Sequence, residues 1–197
     1  MIAGEYDPAR TPRGHHQFIH RLLDWRFEKS MSRVRESMAA DHQLAIPWDL
    51  SEWHKPALLL QWILEDVEAL DWANPELVAY LAAHRSYQPK LLLCLLAYSY
   101  ATGVYESEEI VRSFYQDDGL RREFGGAGPE AQAIAKFRRE NRGLLKWCLV
   151  HLFKRALRAK FELGDLVLPA GLRKYLVDAA ITRIDIARHM DRGSREG

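Results

Sequence analysis

The sequence predicts an all-α protein, a multi-helix domain that contains a helix-turn-helix-like unit. Apolar residues recur at the three- and four-residue spacing of amphipathic helices along most of the 197-residue chain. Prolines, serines and glycines stand where helices begin and end, and no segment alternates as a β-strand does. The charge is uneven: residues 41–80 hold eight acidic residues and one lysine, whereas residues 136–160 hold nine basic residues and one glutamate. Such a cluster of cations on a helical domain is typical of DNA-binding units.

The composition defines the class of protein further. With 48% hydrophobic and 28% charged residues, the chain resembles a globular domain rather than a disordered protein. Its longest apolar run, residues 91–98, is shorter than the ~20 residues that cross a bilayer, and the N-terminus lacks the apolar core of a secretory signal. Cys94 and Cys148 each stand in an apolar helical run, which argues against a disulfide. We therefore expect a cytoplasmic protein with no membrane partner, no cofactor and no metal.

The first half of the chain is predicted to form an arm and three helices. Residues 1–14, rich in proline and glycine, are expected to be a mobile arm. A long amphipathic helix follows over residues 15–41, where hydrophobic residues recur every three or four positions. Prolines then begin helices over residues 56–70 and 75–84.

Three carboxylates cluster near the end of the helix over residues 56–70. Glu65, Asp66 and Glu68 invite a metal-site interpretation, but neighbours one and two residues apart do not converge on one helix face. We therefore expect a solvated acidic surface, or one that meets a basic surface.

The central stretch alternates helices with short breaks. The helix predicted over residues 89–102 is apolar on nearly every side, so we expect it to be the core element, and Gly103 ends it. Ser107 is placed to cap the next helix. A turn at Gly119 leads to the short segment 120–124 and then to a glycine-rich break, which we interpret as a turn because it matches no phosphate-binding motif.

Two basic helices and a C-terminal helix complete the chain. The basic helices are predicted over residues 129–142 and 143–161, and one more amphipathic helix over residues 169–190 precedes a frayed tail. The domain boundaries that follow are 1–14, 15–161 and 162–197. The side chains that we expect to face outward and to contact DNA are Gln132, Lys136, Arg138, Arg139, Arg142 and Lys146, with Arg121 and Arg122 next.

A resemblance to a known family lies in the run YQPKLLLCLLAYSYATGVYESEEI and in the later GPEAQAIAKFR. Together they resemble the N-terminal domain of InsH-like insertion-sequence transposases, over about residues 43–157. The resemblance implies binding to duplex DNA at the ends of the element, ahead of a catalytic domain with an Asp-Asp-Glu metal site. The positions that match the family pattern are Tyr87, Pro89, Leu92, Leu93, Leu96, Tyr98, Tyr100, Gly103, Ser107, Ile110, Pro129, Ile134, Phe137 and Arg138.

Three departures from the family pattern modify what it implies. Glu108 stands where the family has an arginine, and residues 130–133 read Glu-Ala-Gln-Ala where the family has a histidine and a threonine. Base-edge readout needs donors and acceptors, so we expect weaker sequence specificity at this helix. The family's catalytic domain has no counterpart, and Asp178 and Asp185 lack a third ligand, so we expect them to form surface salt bridges with Lys174, Arg183 or Arg188. We expect no catalytic residues and no enzymatic activity from this chain alone.

The histidines add no catalytic site. His151 follows Cys148 by three residues, but a metal would need further ligands that the sequence does not supply, so we expect both to pack in the core.

The leading hypothesis is a transposase-derived, non-catalytic protein that binds duplex DNA through phosphate contacts. One alternative is an interaction or dimerisation module whose acidic residues 41–80 cover the basic surface, in the same chain or in a homodimer. Another is the DNA-binding half of a split transposase that acts with a separate catalytic subunit.

Overall fold

The computed structural model describes residues 46–70, 89–165 and 167–193. The chain divides into two units, and the larger one comprises residues 46–160 and 167–197. Of the smaller unit, residues 1–45 and 161–166, only residues 161–165 are described. The predicted arm and the predicted helices over residues 15–41 and 75–84 lie outside the described residues. The domain boundaries inferred from the sequence stay predictions.

Within the described ranges the chain forms seven α-helices and no β-strand, which confirms the all-α class. A short 3-10 turn, Leu50–Glu52, precedes the first helix. The helix-turn-helix-like unit stays a prediction. The helices are α1 (Pro56–Glu68), α2 (Pro89–Ala101), α3 (Ser107–Gln116), α4 (Asp118–Glu123), α5 (Ala131–Glu140), α6 (Arg142–Phe161) and α7 (Ala170–Gly193).

Helix α2 is the centre of the larger unit, as its all-round apolar sequence predicts. Ten of its thirteen residues are buried, and it packs against α1 and α5. Burying one leucine side chain stabilises a fold by roughly 1.5–3 kcal/mol, so the five buried leucines of this helix contribute strongly to stability. Other fully buried residues of the larger unit include Leu59, Ile63, Phe114, Ile134, Leu149 and Phe153.

The ends of α1 and α2 follow the local signals. Proline is the first residue of each helix, where its missing N–H group costs nothing. Gly103 has a φ angle of 82°, in the left-handed region that favours glycine, and it follows the end of α2 as predicted. The Val104 N–H then donates to the Ser99 carbonyl at 2.8 Å, which closes the last turn.

The beginning of α3 differs from the prediction. Ser107 is the first residue of the helix and is buried, so it does not cap it. The cap comes instead from Asp191 near the end of α7, whose carboxylate accepts hydrogen bonds from the Ser107 N–H at 3.2 Å and from the Ser107 hydroxyl at 3.1 Å. This contact ties the end of α7 to the beginning of α3.

Candidate nucleic-acid interface

The exposed face of α5 carries two cations and an amide. Because Ile134, Ala135 and Phe137 are buried, the opposite face of the helix points to solvent. Gln132, Lys136 and Arg139 are exposed and spaced by four and three residues, so they form one row along this face. These three side chains face outward as the sequence predicts.

Helix α6 begins one residue after the end of α5, with Asn141 between them. That side chain is buried, and its amide donates to the Phe137 carbonyl at 2.9 Å, which fixes the junction between the two helices. Arg142 and Lys146 then lie exposed, four residues apart, on the first turns of α6. We refer to Gln132, Lys136, Arg139, Arg142 and Lys146 as the basic junction.

One exposed carboxylate, Glu140, lies in the chain between Arg139 and Arg142, and little other negative charge opposes the basic junction. Its one ion pair with another described residue joins Arg142 to Asp185 of α7 at 2.7 Å, and both side chains are partly exposed. An exposed pair of this kind is worth less than about 1 kcal/mol, so a phosphate group can replace the carboxylate. Helix α6 itself contains six lysine and arginine residues and no aspartate or glutamate.

The expectation that Arg138 faces outward is wrong. The side chain is 3% exposed and fills the space between α2, α3 and α7. Its guanidinium forms an ion pair with Asp191 at 2.9 Å, donates to the Tyr105 carbonyl and the Ser107 hydroxyl at 3.0 and 3.1 Å, and also donates to the Ala187 carbonyl. Position 138 follows Ile134 by four residues, so it belongs to the buried face of α5. A guanidinium enclosed in this way cannot reach a DNA phosphate.

Most residues that match the transposase pattern belong to this core. Tyr100, Ser107 and Arg138 meet in one cluster, with the Arg138 guanidinium 5.5 Å from the centre of the Tyr100 ring. In this protein these residues serve helix packing, and the exposed cations of the basic junction are not among them. Other matching residues that are buried are Leu92, Leu93, Leu96, Ile110, Ile134 and Phe137.

The two arginines of α4 have their own surroundings. Arg121 forms an ion pair with Asp118, and Arg122 donates to the Asp118 carbonyl at 3.1 Å. Both are exposed and line a shallow pocket of about 550 Å³ with Asp118 and Gly126. No residue of the basic junction lines this pocket, so these arginines form a separate surface feature.

The acidic cluster of α1 meets basic side chains of the same chain. Arg155 of α6 reaches Glu65 at 2.5 Å and Asp66 at 3.0 Å, while Lys90 of α2 reaches Glu68 at 2.9 Å. The hydrogen bond from Arg155 lowers the pKa of the Glu65 carboxyl below its ordinary value. Arg155 lies nine residues beyond Lys146, or about 13 Å along the helix, so α1 covers the far part of α6 and not the basic junction.

A second arginine, Arg183, is buried, although the sequence analysis expected it at the surface. It is 2% exposed, donates to the Pro47 carbonyl at 2.6 Å, and lies between the rings of Trp48 and Phe153 at 4.9 and 4.6 Å. Burial lowers the pKa of its guanidinium. The surface bridge that we expected from Arg183 is formed instead by Arg188, which lies 3.6 Å from Asp185. The signal in the sequence that could have indicated this burial is that Arg183 is next to Ile184, a residue of the apolar face of α7.

Cys148 and His151 occupy different environments, so they do not form a paired site. Cys148 is fully buried, and burial raises the pKa of its thiol. His151 is half-buried rather than part of the core, and it stacks on Trp147. Among the described residues, no group of three histidine, cysteine or carboxylate side chains is placed to hold a metal ion.

Comparisons of this chain with protein-family models, curated proteins and solved structures gave no match. No helix in the described ranges is long and apolar enough to pass through a lipid bilayer.

Proposed function

We propose that this protein binds duplex DNA through phosphate contacts from the basic junction. The observation that carries the proposal is the grouping of four exposed cations on two helices joined by one residue. From Lys136 to Lys146 the chain spans at most about 20 Å. One strand of B-DNA presents roughly six phosphates over that length, so the four cations fit one stretch of backbone.

The binding we propose depends little on base sequence. Gln132, the one uncharged member of the basic junction, lines a pocket of about 290 Å³ together with Glu106, Glu108 and Asp191. Glu106 and Glu108 repel the DNA backbone at the beginning of α5, whereas the charge of Asp191 is balanced by Arg138. DNA therefore approaches the end of α5 and the beginning of α6, where Lys136, Arg139, Arg142 and Lys146 lie, while Gln132 stays at the margin.

The resemblance to transposase N-terminal domains supports a non-catalytic role in this proposal. The chain would hold DNA, and any cutting or joining would belong to a separate catalytic subunit. Arg138, which is part of both the resemblance and our sequence-based site, is left out of the proposed contacts because it is buried.

Fluorescence anisotropy with a labelled duplex tests the proposal. If the four cations each neutralise a phosphate, log Kd should change by about 3 to 4 for each log unit of salt. The double variant Lys136→Glu/Arg139→Glu should bind at least about tenfold more weakly and lower that slope by about 2. The control is Lys174→Glu, a charge reversal at an exposed position of α7. An affinity that does not respond to salt contradicts the proposal.

A second candidate, an interaction module, is favoured by the contact of Arg155 with Glu65 and Asp66. That contact joins an acidic helix to a basic one, as expected if the two surfaces are complementary. Two copies could form the same contacts by exchanging α1. Light scattering after size exclusion, with and without duplex DNA, separates the two functions: a dimer that does not bind DNA favours the module.

A further inference from the structure

An aromatic stack lies on α6 directly beside the basic junction. The Trp147 and His151 rings have their centres 4.0 Å apart and their planes tilted by 34°, and both side chains are partly exposed. The His151 Nδ1 lies 2.9 Å from the Trp147 carbonyl. Since a carbonyl oxygen can only accept, this nitrogen donates the proton, which holds the imidazole against the indole.

The other side of the indole lies over an open position. Side chains on a helix lean toward its N-terminus, so His151, one turn after Trp147, covers one face of the indole. The residue one turn before Trp147 on the same side of the helix is at position 143. Position 143 is a glycine, exposed, and a Cβ built there would meet no atom within 4 Å. The position one turn before Trp147 is therefore open, and no side chain from it covers the indole.

Two cations lie on the same two turns of α6. Arg142 precedes Gly143, Lys146 precedes Trp147, and both are exposed members of the basic junction. No carboxylate belongs to α6. An aromatic face next to phosphate-binding cations is how proteins hold single-stranded nucleic acids, since every base has a π face.

We propose that Trp147 is a stacking platform for an unpaired nucleobase, which enters above Gly143 while Arg142 and Lys146 hold its phosphates. The nucleic acid that this protein prefers is then a duplex with unpaired bases beside it, such as an overhang. This inference rests on the proposed DNA binding and adds the class of substrate. Stacking one base on an aromatic side chain contributes about tenfold to a hundredfold in affinity.

The test uses three labelled probes at one salt concentration: a blunt duplex, the same duplex with a short single-stranded overhang, and that overhang with abasic sites. We expect the overhang probe to bind at least about tenfold more tightly than the blunt duplex. The abasic probe keeps the phosphates and lacks the bases, so we expect it to lose this advantage.

Two variants address the platform itself. Gly143→Leu should fill the open position and abolish the preference for the overhang while blunt-duplex affinity stays within about twofold, and Trp147→Ala should have the same effect. The matched control is Gly171→Leu, because Gly171 is likewise exposed, second in its helix and free of neighbours at the Cβ position. Circular dichroism checks that each variant is folded.

The outcomes separate this inference from the proposed function. If the wild-type protein binds blunt and overhang probes equally, or the abasic probe as tightly as the intact one, the platform is refuted while duplex binding stands. If Gly143→Leu and Trp147→Ala fold and keep the overhang preference, the platform is also refuted. If no probe binds, both the proposed function and the platform fail.

Discussion

At the scale of single residues, two buried guanidinium groups organise the polar part of the core. Arg138 and Arg183 donate to backbone carbonyls of other segments, and each also lies against aromatic rings. A buried arginine needs partners for its donors, because the desolvation of an ion costs several kcal/mol. Terminal nitrogens of both guanidinium groups have such partners, whereas the Nε of each has none among the described residues. Each arginine therefore stabilises one arrangement of its neighbours over looser ones.

Replacing Arg138 with alanine should lower the free energy of unfolding by about 3–5 kcal/mol. The reason is that Asp191, which is mostly buried, would lose its ion-pair partner. Urea denaturation followed by circular dichroism measures this loss. The adjacent variant Arg139→Ala, at an exposed position, should change the stability by less than about 0.5 kcal/mol. Equal effects from the two variants would contradict the buried ion pair.

At the scale of helices, the local signals predicted the elements but not their long-range contacts. Proline at the beginning of α1 and α2, Gly103 after α2 and the apolar face of each helix could be identified from neighbouring residues alone. The residue that caps α3 could not be identified from neighbouring residues, because Asp191 is 84 residues from Ser107. Helical periodicity correctly assigned Lys136 and Arg139 to the exposed face of α5. Arg138 was also assigned to the surface because it is charged, although its spacing from Ile134 places it on the buried face. Its contacts with Tyr105, Ser107 and Asp191 make that burial possible.

The contact between α1 and α6 should depend on pH. Arg155 holds the pKa of Glu65 below its ordinary value of 4.5, so the contact stabilises the fold fully above that value. The stabilisation is lost as the pH falls through the lowered pKa of the folded state. The melting-temperature difference between the wild-type protein and Glu65→Gln, measured from roughly pH 3 to 7, should therefore shrink in acid. The control Glu123→Gln, at an exposed position of α4, should show no such convergence with the wild-type protein.

At the scale of the whole molecule, a formal net charge of +1 conceals two surfaces of opposite sign. The acidic α1 binds one end of α6 through Arg155, and the basic junction lies at the other end. A polyanion that binds at the basic junction therefore contacts cations there. The carboxylates of α1 lie near Arg155, closer to the C-terminal end of α6. The two surfaces together limit how much of α6 can contact DNA.

This arrangement predicts that α1 weakens DNA binding. The variant Glu65→Gln/Asp66→Asn removes both carboxylates from Arg155. The guanidinium keeps its contacts with the carbonyl and the ring of Trp62, and its other N–H groups become able to donate to another phosphate. Affinity for duplex DNA should rise by about 3- to 10-fold, and the salt slope should steepen by about 0.9. Anisotropy titrations at several salt concentrations measure both quantities.

Loss of negative charge alone should not reproduce the steeper slope. The variant Glu52→Gln/Glu123→Gln removes the same two charges at exposed positions that form no ion pair with another described residue. It should raise the affinity slightly and leave the slope unchanged, because it releases no cation. A slope that stays constant in Glu65→Gln/Asp66→Asn as well would mean that Arg155 does not reach the DNA. The contact between α1 and α6 would then serve stability alone.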